Sequence, residues 1–214
     1  TVKLTVTNEN GSNTKIFENY LNVSKSDAIY DATYFADFND ETSTKQDWIF
    51  YNKYPDDREW KWRSSNGYWN SGCVWLNSRY GPDLETDIII SPAFDLALNL
   101  TDNVFFKYAT TSYGVGEVDY TMSLKIYYSI NCGDTWVYMN KLTGAELISS
   151  YGGSSDFYPQ YPDQWASAVF NLPESAKTNH VQFKFEFVYN PYVNNIFIDD
   201  FNFTTGVLST PAPE

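Results

Sequence analysis

The sequence predicts an all-β protein built as a sandwich or jelly roll, and three observations carry that prediction. The first is composition. Of 214 residues, 43% are hydrophobic and 19% aromatic, with 18 Tyr and 15 Phe, which suits a half-buried pleated core and argues against disorder. The second is period-two alternation. In His180–Val188, residues Val181, Phe183, Phe185 and Phe187 fall on one face while Gln182, Lys184 and Glu186 fall on the other, and Met122, Leu124, Ile126 and Tyr128 line one face of their segment in the same way. The third is spacing. Short strand-like runs over 48–51, 58–63, 73–77, 86–91, 103–109, 121–129, 135–139, 165–171, 180–189 and 195–203 are separated by turn signals. One helical turn, over 144–149, is too short to change the class.

The front of the chain reads as a separate unit. Residues 2–7 alternate, the cluster Asn8-Glu9-Asn10-Gly11-Ser12-Asn13 forms a turn, and residues 14–23 resume as a second strand. A lone hairpin is marginal in water, so its partner strands are expected elsewhere. Thr1 does not resemble a natural start, and the chain reads as a piece of something longer. Residues 24–32 are expected to connect the hairpin to a larger domain over 33–207, and 208–214 have the Pro-rich composition of a linker.

Charge narrows the partners. The net charge of −13 repels nucleic acid and anionic membrane surfaces, and no apolar run reaches the length of a membrane span. A solvated extracellular surface accounts for such acidity, and a divalent-cation site would draw on the same carboxylates. The two cysteines, Cys73 and Cys132, allow either one disulfide or two free thiols.

Catalytic constellations are scarce. His180 is the single histidine, which removes a His-Glu-x-x-His zinc site, and no nucleophile elbow or phosphate loop is present. Paired carboxylates leave a hydrolase using acids such as Asp87 or Glu117 as a formal alternative. The expected role is therefore non-catalytic.

Two groups of residues point to binding. Asp37, Asn39 and Asp40 crowd the first strand of the larger domain, and Asp199 and Asp200 interrupt an otherwise apolar last strand. Unless a bulge intervenes, adjacent acids there turn one carboxylate toward the core, where a hard cation would compensate it. The other reading is a set of solvated edge acids that discourage strand-to-strand aggregation. Aromatic residues gather in the loop-like stretches Gly67-Tyr68-Trp69-Asn70 and 151–165, which include Tyr158 and Trp165. Exposed flat rings of this kind stack on sugar faces; buried, they are packing. The segment Ser129-Ile-Asn-Cys-Gly-Asp-Thr-Trp136 resembles an Asp-box hairpin, a Gly-assisted turn with Trp136 packed beneath and Asn131 in place of the usual first Asp.

Three stretches carry a family resemblance: Tyr34–Asp40 followed by Asp47-Trp48 and Trp60; Asp87–Leu96; and Leu124–Trp136 ending in Asn194–Phe201. In this order they resemble the MAM-like, cleaved-adhesin-type jelly-roll domains of secreted Bacteroidetes proteins. The insertion Leu142–Leu147 with Phe157-Tyr-Pro and Gln164-Trp165 resembles the domain that follows the catalytic unit in cytophagalysin-like zinc metalloproteases. The front hairpin, Thr1–Lys15 followed by Asn19–Val23, resembles the C-terminal end of an immunoglobulin-like PKD domain, which often precedes that jelly roll. The resemblance implies a galactose-binding-like jelly roll over about residues 33–205 and a structural Ca²⁺ held where first and last strands meet, by Asp37, Asn39, Asp40, Asp199 and Asp200. The family's usual Glu is replaced by Asn39, which supplies a neutral oxygen. It also implies an accessory or adhesion module of a secreted or cell-surface protein, whose partners are other domains of its parent chain and a polysaccharide or extracellular protein. A carbohydrate-binding module reading through Tyr68, Trp69, Tyr158 and Trp165 stands as the alternative.

Overall fold

A computed structural model describes residues 2–17, 29–54, 56–98, 101–112, 121–151 and 155–205. The strands are β1 (Val2–Asn8), β2 (Gly11–Phe17), β3 (Ile29–Tyr30), β4 (Phe35–Ala36), β5 (Ile49–Tyr51), β6 (Trp60–Arg63), β7 (Cys73–Leu76), β8 (Thr86–Ile90), β9 (Ala93–Phe94), β10 (Asn103–Ala109), β11 (Ser123–Ser129), β12 (Val137–Thr143), β13 (Ala166–Asn171), β14 (Gln182–Val188) and β15 (Ile196–Thr204). The protein is an all-β jelly-roll sandwich. One six-stranded layer runs β13-β10-β15-β7-β6 with β4 added against β15, and the facing five-stranded layer runs β12-β11-β14-β8-β5.

The alternating runs form the core as the sequence predicts. Leu124, Ile126, Phe183, Phe185 and Phe187 of the five-stranded layer are fully buried, and they face Val74, Leu76, Val104, Phe106, Ile196 and Phe201 of the other. The rings meet edge-on: Phe106 and Phe185 lie 5.2 Å apart at 89°, and Trp48 and Phe201 lie 5.3 Å apart at 86°. Such geometry adds to what area burial alone contributes.

The segment after β4 differs from the sequence reading. Only Phe35 and Ala36 are strand, and α1 (Glu41–Asp47) follows. Asp40 is its N-cap, with Oδ1 accepting from the Ser43 backbone N–H at 2.8 Å. The Asp–x–x–Ser spacing that satisfies a helix start also resembles a run of ligand acids. Ile29 and Tyr30, inside the expected connector, pair in parallel with Ala93 and Phe94.

The front hairpin forms with a two-residue turn at Glu9-Asn10, so Asn8 faces Gly11. Its strands pair only with each other among the described residues, and Leu4, Val6 and Ile16 stay more than half exposed. The second strand is described to Phe17; the expected continuation to residue 23 lies outside the described residues.

The cysteines are not bonded to one another. Cys73 is buried under the outer face of the six-stranded layer, while Cys132 sits exposed in the β11–β12 turn of the opposite layer. The disulfide the count allows is therefore not formed, because the sandwich separates its two ends. Burial pushes the Cys73 thiol up, and Asp199 adds to the effect. A thiol reagent is expected to label one cysteine in the native protein and two in denaturant; finding no free thiol in denaturant would contradict this assignment.

Candidate functional site: the ring loop and its acidic anchor

The site forms where β15 changes neighbours. β15 pairs with β7 through Ile198 and with β4 from Phe201, and against β10 its register shifts between Lys107 and Phe105. The intervening Asp200 has φ 52, so a bulge absorbs the Asp-Asp pair. Ile198 and Phe201 keep facing the core, and Asp199, opposite Lys107, turns to the outer face.

Asp199 is fully buried there beneath the loop 67–72. Its Oδ2 accepts from the Tyr68 backbone N–H at 2.7 Å and from Ser71 Oγ at 3.0 Å, and Oδ1 accepts from the Asp200 N–H at 2.8 Å. Burial raises its pKa to about 7 against the lowering effect of these bonds. Asn39 Oδ1 accepts from the Gly72 N–H at 2.9 Å, and Asp37 accepts from the Asn39 backbone and side-chain amides. Burial raises Asp200 as well, with Lys107 opposing and Asp37 adding.

Two glycines permit this closeness. A Cβ on Gly72 would overlap the Phe38 carbonyl oxygen, which already accepts from Trp62 Nε1 at 2.8 Å. A Cβ on Gly67 would overlap the Gly72 carbonyl and crowd Asp199 Oδ2.

The anchored loop presents an aromatic side chain. Trp69 and Asn70 both have left-handed backbones, at φ 59 and φ 61, and Trp69 is 74% exposed. Non-glycine residues held at positive φ are costly and cluster at functional sites. Tyr68 packs below, 5.7 Å from Trp69 and 6.3 Å from Trp165, with Lys107 Nζ 4.0 Å above its ring. Trp165 is buried in a second small core with Cys73, Ala109, Phe157 and Phe197. Tyr158 is half-buried against Trp75 and Phe197, under the Arg63 guanidinium at 4.7 Å. The structure thus gathers Tyr68, Trp69, Tyr158 and Trp165 on the outer face of one layer. It presents Trp69 and uses Trp165 as packing. Tyr161, 68% exposed, follows Tyr158 on the same 155–165 segment.

No protein-family model matches the chain. No curated protein matches it in sequence. Among solved structures, it is similar to TmCBM27, a carbohydrate-binding module described for specific mannan recognition, at 15% identity and a TM-score of 0.48 over 81% of this chain and 96% of that one. The Caldicellulosiruptor saccharolyticus module CBM27-1, solved with mannohexaose, gives 14% identity and a TM-score of 0.48 over 72% and 89%. The K3 cleaved adhesin domain of Lys-gingipain from Porphyromonas gingivalis W83 gives 15% and 0.48 over 74% and 91%. Likenesses at this level transfer no residue roles.

Among the described residues, no three His, Cys, Asp or Glu side chains converge as a metal cluster, and no helix is long and apolar enough to cross a membrane. The acids around Asp199 are spread along the seam, with Asn39 and backbone carbonyls between them. All are hard oxygen donors of the kind calcium takes. No Lys or Arg side chain forms an ion pair with Asp199 among the described residues.

At two further places, the structure supplies surroundings that the sequence does not give. Asp87 faces inward from β8, 2% exposed, with Oδ2 accepting from Tyr189 Oη at 2.6 Å and Oδ1 unpartnered. Burial raises its pKa to about 6, with Asp56 and Glu59 adding and the Tyr189 bond opposing. A raised acid binds more protons folded than unfolded, so its ionisation lowers stability as pH rises from about 4 to about 6. The shift of roughly two pK units sets a ceiling of about 3 kcal/mol on that loss. Asp87→Asn is expected to gain stability relative to the native chain between pH 4.5 and pH 7.5 in urea denaturation. A difference that does not change with pH would contradict the assignment. The other acid of the hydrolase alternative, Glu117, lies outside the described residues.

The second is Cys132, whose Sγ lies 3.4 Å from His180 Nε2 in the exposed β11–β12 turn. The turn has the Asp-box bonding pattern: Asn131 Oδ1 accepts from the Thr135 N–H, Ser129 Oγ accepts from the Gly133 N–H, and the Trp136 ring packs under Gly133.

Proposed function

We propose that the chain is a non-catalytic binding module of a secreted or cell-surface multidomain protein, with the Trp69 loop as its ligand-contacting element. One observation carries the reading: an exposed tryptophan on left-handed backbone, anchored from below by a buried carboxylate. Holding that loop shape costs conformational energy, which the bonds to Asp199 help to offset. A ring fixed in this way suits stacking on a pyranose face, with little entropy left to lose on binding.

Its ligand is a polysaccharide, contacted by Trp69 with Tyr68 beside it; Tyr158 and Trp165 brace the platform. An array of immobilised polysaccharides probed with the native chain and with Trp69→Ala tests this. Binding to at least one glycan, lost in the variant, is expected; equal signals from both proteins would overturn it.

The module belongs, in this proposal, to the cleaved-adhesin type, placed in the parent beside a metalloprotease unit and preceded by a PKD domain. The exposed Leu4 and Val6 of the hairpin support further strands packing on it. Structural calcium is held by Asp37, Asn39, Asp199 and Asp200 with backbone carbonyls of the 67–72 loop, while the Asp40 carboxylate serves the α1 cap.

A further inference from the structure

The two outer faces of the sandwich differ. Loops 64–72 and 155–165 cover much of the six-stranded layer's outer face with the second aromatic core. The five-stranded layer's outer face carries no such core among the described residues. Its register aligns two cross-strand rows. One reads Tyr138, Tyr127, Lys184, Ile90, Ile49 from β12 to β5, and the next reads Lys141, Lys125, Glu186, Ile88, Tyr51.

Charge on this face runs against the rest of the molecule. The chain has 14 Lys and Arg against 27 Asp and Glu, yet Lys125, Lys141 and Lys184 gather here around one acid, Glu186, with Lys53 near enough to act on Lys184. Lys184 is bound into the surface, 4.1 Å above Tyr127 and 5.2 Å from Trp136. Lys125 and Lys141 stand directly opposite each other on adjacent strands. Like charges in that position destabilise a sheet. Glu186, 3.7 Å from Lys125 Nζ, offsets part of that repulsion, and an anion across both ammonium groups would relieve the remainder. Beside it, Tyr138 is 52% exposed and stacks edge-on against Tyr127 at 5.8 Å.

We infer that this face is a second glycan-binding surface, for a uronate-bearing polysaccharide, with a sugar ring on Tyr138 and carboxylates on Lys125 and Lys141. The tyrosine pair and the lysine pair each span adjacent strands about 4.8 Å apart, and the two pairs are set off from one another by two residues along β11, about 6.8 Å. An acidic peptide would satisfy the lysines but leave Tyr138 without a stacking partner. The surface lies on the opposite layer from Trp69 and does not depend on it.

The experiment titrates oligogalacturonate into the native chain, the Lys125→Gln/Lys141→Gln double variant, Tyr138→Ala and Trp69→Ala. Saturable binding is expected, weakened at least tenfold by the double variant and severalfold by Tyr138→Ala, and unaffected by Trp69→Ala. Affinity should fall as salt rises. The double variant should melt within a few degrees of the native chain, because losing the like-charge pair offsets losing the Lys125–Glu186 ion pair. Absent oligogalacturonate binding, or equal affinity in the double variant, overturns the proposal. Lysine-dependent binding of poly-glutamate at equal strength, or of dextran sulfate alone, overturns the uronate assignment. Loss of binding in Trp69→Ala instead would place the ligand on the other face.

Discussion

Gly72→Ala is expected to destabilise the fold by about 2–4 kcal/mol, near the upper end for added bulk in a packed site. The added methyl would meet a backbone carbonyl rather than a flexible side chain, so one of two chain segments must move. Moving the 67–72 loop breaks the Gly72–Asn39 and Tyr68–Asp199 bonds, and moving Phe38 breaks its bond from Trp62. Each displaced bond would leave a part-buried polar group without its partner. For a domain of this size the loss corresponds to a fall in Tm of roughly 5–15 °C. Because the same loop carries Trp69, glycan binding should weaken as well, even below the melting transition. A variant with the native melting curve would show that the loop does not pack against Phe38 as described.

Calcium is expected to have an effect of similar size. Extracellular modules bind it with dissociation constants down to about 0.1 mM, so about 10 mM calcium would stabilise such a module by about 2.7 kcal/mol. That corresponds to roughly 5–11 °C between calcium and chelator. The physical basis is the seam where β15 leaves β7 for β4: a buried Asp199 without an ion-paired Lys or Arg among the described residues, the partly buried Asp200, and Asp37 acting on Asp200. A divalent ion there would offset repulsion that the bonds from Tyr68 and Ser71 only reduce. Asp37→Asn should abolish most of the calcium-dependent increment while leaving the chelated protein's Tm nearly unchanged, since Asp37 is exposed. Coincident melting curves in calcium and chelator would remove the ion from the account.

What the sequence made legible follows from the range of each signal. The Phe183, Phe185, Phe187 alternation and the Leu124, Ile126 alternation are local, and the structure buries all five side chains. The Asp-box segment is local too, and its turn forms with the expected bonds. The helix α1 was hidden because Asp40 reads equally as a cap or as one acid in a cluster, and only the Ser43 N–H distinguishes the two. Trp69 and Trp165 look alike in sequence; which is exposed depends on Asp199 pinning one loop and Phe197 accepting the other ring. The lysine and tyrosine rows needed strand register, which joins residues as distant as Tyr51 and Lys141. The separation of Cys73 from Cys132 likewise depends on which layer each strand joins.

The claim at the centre of this account is that the Trp69 loop contacts a polysaccharide. Titration calorimetry with soluble neutral glycans, comparing the native chain with Trp69→Ala, tests it most directly. The account predicts saturable binding to at least one glycan, weakened at least tenfold in the variant, a loss of about 1.4 kcal/mol or more. Undiminished affinity in a folded Trp69→Ala protein, or no heat of binding with any neutral glycan, would contradict it.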